Sequence, residues 1–407
     1  MRSEILALAA LIATSTAAPP SASTAVHPEP LGSAASGGFA RDKLRDAAST
    51  AERSRGTWLP ADPAHRWEFP RDHYAHPEYR NEWWYFTGTV TAADDPSRRF
   101  GYQLTFFRVG LLPAPPALDS AWATGQAVMA HAAITDVARG DHVFSEVLWR
   151  AVPLLGGFGA PRDPVLAWAR APAGTDARWS VALADGAFRL SMRDDARGTA
   201  LELVLRPERP VALQGPNGYS RKAAQDGFAS LYYSVTRLAT EGTLTSSGGT
   251  FHVRGESWMD RELGSSELAP AQVGWDWWSL RLADGRDLML YMLRRADGST
   301  DWRYGTLVER DGTVRLLAPE AWSVSARETW QSPGGARYPA GWDVTVPGEG
   351  IRLRLEPLVA GAENRSSLAG GLAYWEGPVR LTGADGRPAG EGYVELTGYG
   401  EGTKPRI

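Results

Sequence analysis

One short segment, 255–262, carries the side chains best suited to acid–base chemistry. If this segment is extended, Glu256, Trp258, Asp260 and Glu262 point to one face, because alternate residues of a strand share a face. Burial of a carboxyl group beside a tryptophan raises the pKa of that group and prepares it to donate a proton. The same acids could instead pair with arginine and only stabilise the fold.

Two aromatic segments, 82–85 and 274–278, could line a binding site. Strand alternation places Trp83 and Tyr85 on one face of the first segment, and it places Trp275 and Trp277 on one face of the second. Such faces indicate an aromatic-lined cavity for a long apolar or polyene ligand. Ordinary core packing between two halves of the protein is the alternative.

The other reactive residue types support weaker hypotheses. His73 and His76 have a spacing that suits a metal, but the next residue is a proline, which ends any helix there. We therefore predict no metal site and no cofactor. Ser220 and Lys222 resemble a hydrolase pair, yet the chain has no Gly-x-Ser-x-Gly motif. His131 lies in a strand-like run, where it is either a general acid–base or a hydrogen-bonded core residue.

The elements that must position these residues are strands. Short apolar and aromatic runs alternate with Asp-Gly turns, and helical periodicity is scarce after Ser54. This pattern is typical of an all-β sandwich or barrel.

An internal repeat indicates two copies of one β unit. An acid followed by two tryptophans occurs at 82–84 and again at 276–278, and an alternating strand that ends in arginine follows each copy. We place the boundary in the Gly- and Ser-rich stretch near 238–246. The predicted domains are residues 65–240 and 241–402.

Composition limits the possible partners and compartments. The 407 residues include 43 Lys and Arg against 47 Asp and Glu, with a net charge of −4, which argues against nucleic acid as a partner. There is no cysteine, so the chain has neither disulfides nor a cysteine nucleophile. Residues 1–25 resemble a signal peptide, and 26–64 read as a flexible linker. We expect export to the periplasm or medium, possible association with the envelope, and no transmembrane segment in the mature protein.

A set of motifs resembles the AttH/CrtC-type lipocalin-like proteins, whose members include carotenoid 1,2-hydratases and predicted secreted hydrolases. The motifs extend over almost all of residues 65–400. They are Asp72–Gly88, Ala130–Asp136, Gly218–Lys222, Ser230–Ser234, Trp258–Glu262, Gly274–Trp277, Tyr374–Gly377 and Gly392–Tyr399.

The resemblance implies two consecutive lipocalin-like antiparallel β-barrel domains and an apolar ligand. In the hydratase branch an acidic residue protonates a polyene double bond and water adds to the cation, and Asp260 is the matching position here. The hydratase branch has tyrosine where this chain has Trp258, so the secreted hydrolase branch is closer and the carotenoid activity carries over less well than the fold.

Three functional hypotheses follow. The first is an enzyme that adds water to a C=C bond of a lipophilic isoprenoid without a cofactor. Its candidate catalytic residues are Asp260, Glu262, Tyr233 and His131, and its candidate ligand-binding residues are Trp83, Tyr85, Trp258, Trp275, Trp277 and Trp375. The second is a non-catalytic periplasmic carrier of a lipophilic small molecule. The third is a structural envelope protein whose tryptophans fill the core.

Overall fold

The computed structural model describes residues 57–266 and 268–400. The predicted signal peptide and most of the predicted linker lie outside these residues. No helix in the described part of the chain has the length and apolar character needed to cross a membrane.

The first sheet is antiparallel and has thirteen strands. They are β1 (Asn81–Ala92), β2 (Arg99–Gly110), β3 (Gln126–Asp136), β4 (Asp141–Arg150), β5 (Gly156–Phe158), β6 (Val165–Arg170), β7 (Arg178–Ala184), β8 (Ala187–Asp194), β9 (Thr199–Pro207), β10 (Ala212–Leu213), β11 (Tyr219–Arg221), β12 (Ala229–Ser246) and β13 (Gly249–Ser266). Their order across the sheet is β4-β3-β2-β1-β13-β12-β9-β8-β7-β6-β5, and β10 and β11 also pair with β12.

The second sheet follows in the chain and has ten strands. They are β14 (Gln272–Leu282), β15 (Asp287–Arg295), β16 (Thr300–Val308), β17 (Val314–Leu317), β18 (Ser323–Ala326), β21 (Trp342–Val346), β22 (Ile351–Pro357), β23 (Glu363–Arg365), β24 (Ala373–Gly383) and β25 (Pro388–Thr397). Their order is β17-β16-β15-β14-β25-β24-β22-β21-β18, and β23 pairs with β24. A separate hairpin joins β19 (Thr329–Gln331) to β20 (Arg337–Pro339), and single 3-10 turns lie at Arg71–His73, Pro216–Gly218, Pro319–Ala321 and Pro347–Glu349.

The two sheets repeat one topology, and each curls into a barrel-like unit. In both, the first strand (β1 or β14) pairs with the second strand on one side and with the last strand (β13 or β25) on the other. The repeated acid-Trp-Trp motifs lie in β1 and β14. The all-β, two-barrel prediction is confirmed.

The division between the sheets differs from the predicted 240/241 boundary. The last strand of the first sheet is Gly249–Ser266, which pairs with β1, and the second sheet begins at Gln272. The Ser246–Gly249 turn signal belongs to the tight hairpin that joins β12 to β13. Gly242, inside β12, lies so close to the Glu202 carbonyl that a Cβ would be 2.0 Å from its oxygen. The turn residues therefore serve a hairpin and a close strand contact within one sheet.

Each barrel interior is filled with apolar side chains. Trp84, Phe86 and Phe106 belong to the core of the first sheet, and Trp278 and Trp375 belong to the core of the second. A third cluster, which includes Tyr85, Trp258 and Trp277, joins side chains from both sheets. The outer faces of β1 and β13 thus pack towards those of β14 and β25, and a cavity lies between the barrels.

Candidate active site

A cavity of about 200 Å³ lies where the two sheets face each other. Two rows of directly paired residues cross it, one from each sheet. The first row is Ser234, Asp260, Tyr85, Thr105 and His131, on β12, β13, β1, β2 and β3. The second row is Tyr291, Trp277, Glu395 and Glu376, on β15, β14, β25 and β24. Because each row runs across the strands, residues far apart in sequence meet at one surface.

Asp260 is buried near the centre of the cavity and accepts three hydrogen bonds. Ser234 Oγ and Trp258 Nε1 both donate to its Oδ1 at 2.6 Å, and Tyr232 Oη donates to its Oδ2 at 2.6 Å. The Tyr232 hydroxyl in turn accepts a bond of 3.1 Å from Trp277 Nε1. Asp260 is therefore held rigidly by three donors of its own sheet. Trp277 of the opposite sheet supports it indirectly, through Tyr232.

The environment of Asp260 lets its carboxyl group hold a proton near neutrality. Burial raises the pKa of Asp260 to about 7, although the three donors lower it, and the charge of Glu262 adds to the rise. Desolvation of the buried carboxyl group outweighs the three hydrogen bonds in setting this pKa. At neutral pH the carboxyl group is thus partly protonated.

Aromatic rings form much of the wall around Asp260. Trp83, Tyr85, Trp275 and Trp277 all line the cavity. The rings of Tyr85 and Trp277 meet edge to face across the two sheets, with centroids 5.3 Å apart. These rings give the cavity a largely apolar wall.

Glu262 lies beside this aromatic wall in a different electrostatic setting. Its Oε1 is 2.5 Å from Lys222 Nζ and accepts a hydrogen bond from Ser230. The Lys222 ammonium also lies over the Tyr291 ring, 4.7 Å from its centroid. Lys222 balances the charge of Glu262. The role of Glu262 therefore differs from that of Asp260.

A second carboxyl pair faces Asp260 from the other sheet. Glu376 and Glu395 lie directly opposite each other on β24 and β25. Burial raises the pKa of Glu395 to about 7, and it raises the pKa of Glu376 well above its usual range, with the charge of Glu395 adding to the effect. Because the two carboxyl groups are buried side by side and both shifts favour the neutral form, the pair retains a proton at neutral pH.

His131 is neutral and lies at the far end of the first row. Its Nδ1 is 2.8 Å from Tyr374 Oη, and its ring contacts Phe107 and Phe144. Burial lowers the pKa of His131 to about 4, although Glu146 acts in the opposite direction. His131 lines the cavity, but two strands, β1 and β2, separate it from Asp260.

Comparison with known proteins identifies the family. A model of the AttH-like family matches residues 60–399. The solved structure of an AttH-type protein from Nitrosomonas europaea is 35% identical, covers 84% of this chain and 99% of its own, and superposes with a TM-score of 0.72. The chain belongs to the AttH-like family.

More distant structures share the fold of this AttH-like protein. Kievitone hydratase from Nectria haematococca is 13% identical over 84% of this chain and 96% of its own, with a TM-score of 0.58. CghA in complex with Sch210972 is 12% identical over 86% of this chain and 97% of its own, with a TM-score of 0.52. No curated protein gives a significant match.

The AttH-like fold brings most of the predicted site residues together. Asp260, Glu262 and His131 line one cavity with Trp83, Tyr85, Trp275 and Trp277. Trp258 lies behind Asp260 and holds it in place. Trp375 does not reach the cavity, because it points into the core of the second sheet and donates to the Ala360 carbonyl at 2.7 Å.

The structure places Tyr232 beside Asp260, and not the predicted Tyr233. Tyr233 points into the core of the first barrel, where its hydroxyl is 2.7 Å from His73 Nδ1. Tyr232 points to the opposite face and contacts Asp260. Strand alternation requires this separation, since adjacent side chains cannot share a face.

Glu376, Glu395 and Tyr232 were missed from the sequence. All three lie in family motifs, but the sequence pointed to the neighbouring residues Tyr233 and Trp375 in place of Tyr232 and Glu376. In the described residues, no group of three or more His, Asp or Glu side chains is arranged to hold a metal ion. The side chain of His76 instead contacts that of Asp72, with 3.0 Å between Nε2 and Oδ1.

Exchange of each tyrosine for phenylalanine distinguishes the two positions. We expect Tyr232→Phe to raise the pKa of Asp260 by about 1 to 2, because it removes a hydrogen bond that favours the carboxylate. Tyr233→Phe removes a hydroxyl on the other face and leaves that pKa unchanged. Titration of the Asp260 carboxyl carbon by NMR measures both, and equal shifts in the two variants would contradict the assignment.

Proposed function

We propose that this protein is a hydratase-type enzyme that adds water to a C=C bond of a lipophilic isoprenoid or lipid, of which carotenoids are one class. The observation that carries the proposal is Asp260, a buried carboxyl group with a pKa of about 7 in an aromatic-lined cavity. The fold shared with kievitone hydratase is consistent with it. The reaction requires a proton donor and water.

Asp260 supplies the proton in the first step. The protonated carboxyl transfers its proton to the less substituted carbon of the double bond, and the cation forms at the more substituted carbon. The carboxylate left behind accepts hydrogen bonds from Tyr232, Ser234 and Trp258, which stabilise its new charge. These donors are already in place before the proton leaves, so little reorganisation is needed.

The walls of the cavity stabilise the cation. Faces of Tyr85 and Trp277 attract positive charge, and this attraction grows where water is excluded. The Glu376–Glu395 pair holds one proton and so carries one negative charge, which faces the cation from the second sheet. A water molecule then bonds to the cation and passes its extra proton to the Asp260 carboxylate, which restores the acid.

The proposal is tested by isotope labelling with defined alkenes. Purified protein is incubated in ¹⁸O-labelled water with lycopene, squalene or farnesol, and the organic extract is analysed by mass spectrometry. We expect at least one substrate to gain the mass of one labelled water, with the oxygen on the more substituted carbon. Absence of a hydrated product from all three would contradict a hydratase that acts on terminal isoprene units.

The rate of water addition should depend on pH with a single alkaline limb. Asp260 must be protonated to act, so the rate should be constant below its pKa of about 7. Above this pH it should fall about tenfold per pH unit. Initial rates over about four pH units centred on neutrality measure the profile. A rate that rises with pH would show that Asp260 acts as a base instead, and Tyr232→Phe should move the limb to higher pH.

A non-catalytic carrier is the alternative, and the apolar lining of the cavity favours it equally. A carrier binds the same lipophiles without forming product. Its affinity should fall in Trp277→Ala and stay unchanged in Asp260→Asn. Native mass spectrometry with organic extraction of protein from its own host identifies any ligand that co-purifies.

Export is also part of the proposal. The composition of residues 1–25 supports cleavage by a signal peptidase and delivery to the periplasm or medium. Cell fractionation and N-terminal sequencing of the mature protein test it. An intact N-terminus in the cytoplasmic fraction would contradict it.

A further inference from the structure

Several polar atoms at one end of the cavity lack partners. Gln103 Oε1, His131 Nε2 and Glu376 Oε1 have no hydrogen bond among the described residues. Each of the three side chains lines the cavity, and each residue is about 1% exposed. The hydroxyl of Tyr85 interacts with the Glu376 carboxyl group, but without the geometry of an ordinary hydrogen bond.

These atoms differ from the polar groups that hold Asp260. Ser234, Trp258 and Tyr232 all donate to its oxygens. In contrast, Gln103 uses its amide nitrogen on Thr105 and leaves the oxygen unused, and Glu376 uses one oxygen on Asn364 and leaves the other. A buried polar group without a partner costs free energy, so a cavity that groups such atoms favours a ligand that satisfies them.

The charge at this end limits what the missing partner can be. His131 is neutral, and the nearby carboxyl pair of Glu376 and Glu395 carries acidic groups. A carboxylate or phosphate would be repelled there. A hydroxyl group suits the site because it donates to the Gln103 oxygen and accepts from His131 or Tyr85.

The position of this end relative to Asp260 limits the length of the ligand. Asp260 and His131 belong to the same row and are separated by β1 and β2. Three strand spacings correspond to about 14 Å. A ligand that spans the cavity can therefore place one end at His131 while a double bond faces Asp260.

We propose that the ligand is an unsaturated alcohol rather than a pure hydrocarbon, with its hydroxyl group held by Gln103, His131 and Glu376. The placement of its double bond beside Asp260 rests on the proposed function, whereas the hydroxyl site stands on the unpartnered atoms alone. This separates the protein from a binder of unsubstituted polyenes.

Matched probes test the hydroxyl site by binding alone. Farnesol and the hydrocarbon β-farnesene share a carbon skeleton, and farnesene has a terminal conjugated diene in place of the allylic hydroxyl group. Quenching of tryptophan fluorescence gives the dissociation constant of each probe for the full-length protein. We expect farnesol to bind about ten- to a hundredfold more tightly, the value of one or two well-formed hydrogen bonds. Equal affinities, or tighter binding of farnesene, would overturn the proposal.

Variants assign the preference to named side chains. Gln103→Leu keeps the volume and removes the amide, so it should bring the farnesol-to-farnesene ratio towards one by weakening farnesol. His131→Phe should act in the same direction and serves if the first variant does not fold. Retained farnesene binding shows that a variant is folded. Gln331→Leu, in the separate β19–β20 hairpin, is the matched control and should keep the wild-type ratio. A ratio unchanged in both Gln103→Leu and His131→Phe would overturn the assignment.

The outcome is separable from that of the hydratase proposal. Selective binding of farnesol without hydration supports the hydroxyl site and contradicts the enzyme. Hydration of squalene with no preference for farnesol supports the enzyme and overturns the hydroxyl site.

Discussion

Replacement of Asp260 by asparagine should lower the rate of water addition by about 10²–10⁴, the usual contribution of an essential general acid. The amide keeps an acceptor for Ser234 and Trp258, and the Tyr232 hydroxyl can rotate to accept from the new NH₂ group. The variant should therefore fold and bind ligand while it lacks a transferable proton. Initial rates with any alkene that the wild type hydrates give the comparison.

Two controls separate the loss of the proton donor from a loss of folding. Asp343→Asn changes a half-exposed aspartate on β21 that pairs with Arg327 and should leave the rate unchanged. Thermal unfolding of Asp260→Asn should resemble that of the wild type. If a folded Asp260→Asn protein retains more than about a tenth of the rate, Asp260 is not the proton donor.

The largest effect on stability should come from Glu82. This carboxylate is fully buried and bridges Arg108 and Arg261, which are also buried. Although burial alone would raise the pKa of Glu82, the charges of Arg108 and Arg261 hold it well below its usual range. Glu82→Gln leaves two buried guanidinium groups without their counter-charge, so we expect a loss of about 3–5 kcal/mol in the free energy of unfolding.

Denaturant unfolding at neutral pH measures this loss, and Glu256→Gln is the matched control. Glu256 pairs with Arg237 and Arg281 but is partly exposed, so its loss should cost less than about 1 kcal/mol. Because folding lowers the pKa of Glu82, its carboxylate stabilises the folded state above pH 4.5, the usual pKa of a glutamate. This stabilisation is lost as the pH falls below that value. A difference between the wild type and Glu82→Gln that does not shrink in acid would contradict this assignment.

The sequence predicted the features that depend on local periodicity. Strand alternation placed Trp83 with Tyr85, Trp275 with Trp277 and Trp258 with Asp260, and these are the groupings in the structure. The family motifs predicted the two-barrel fold, which is confirmed. The inference from alternation succeeds because the alternation of side chains along a strand is a property of the backbone.

The choice between Tyr232 and Tyr233 could not be made in this way. The first eight residues of β12 are all buried, since one face lies in the first barrel and the other meets the second sheet. A strand covered on both sides has no alternation of polar and apolar residues to show which face is which. The same holds for β24, where Trp375 points to the core and its neighbours Tyr374 and Glu376 line the cavity.

The amino-acid sequence by itself determined the strand class, the repeat and the carboxyl group on a tryptophan-bearing face. Only the tertiary structure decided that the cavity lies between the barrels and that Glu376 and Glu395 face Asp260 across it. Strand order brings Ser234, Asp260, Tyr85, Thr105 and His131 into one row, although they lie on five strands. The register of non-local strand pairs depends on the packing of the whole sheet, and no local pattern encodes it.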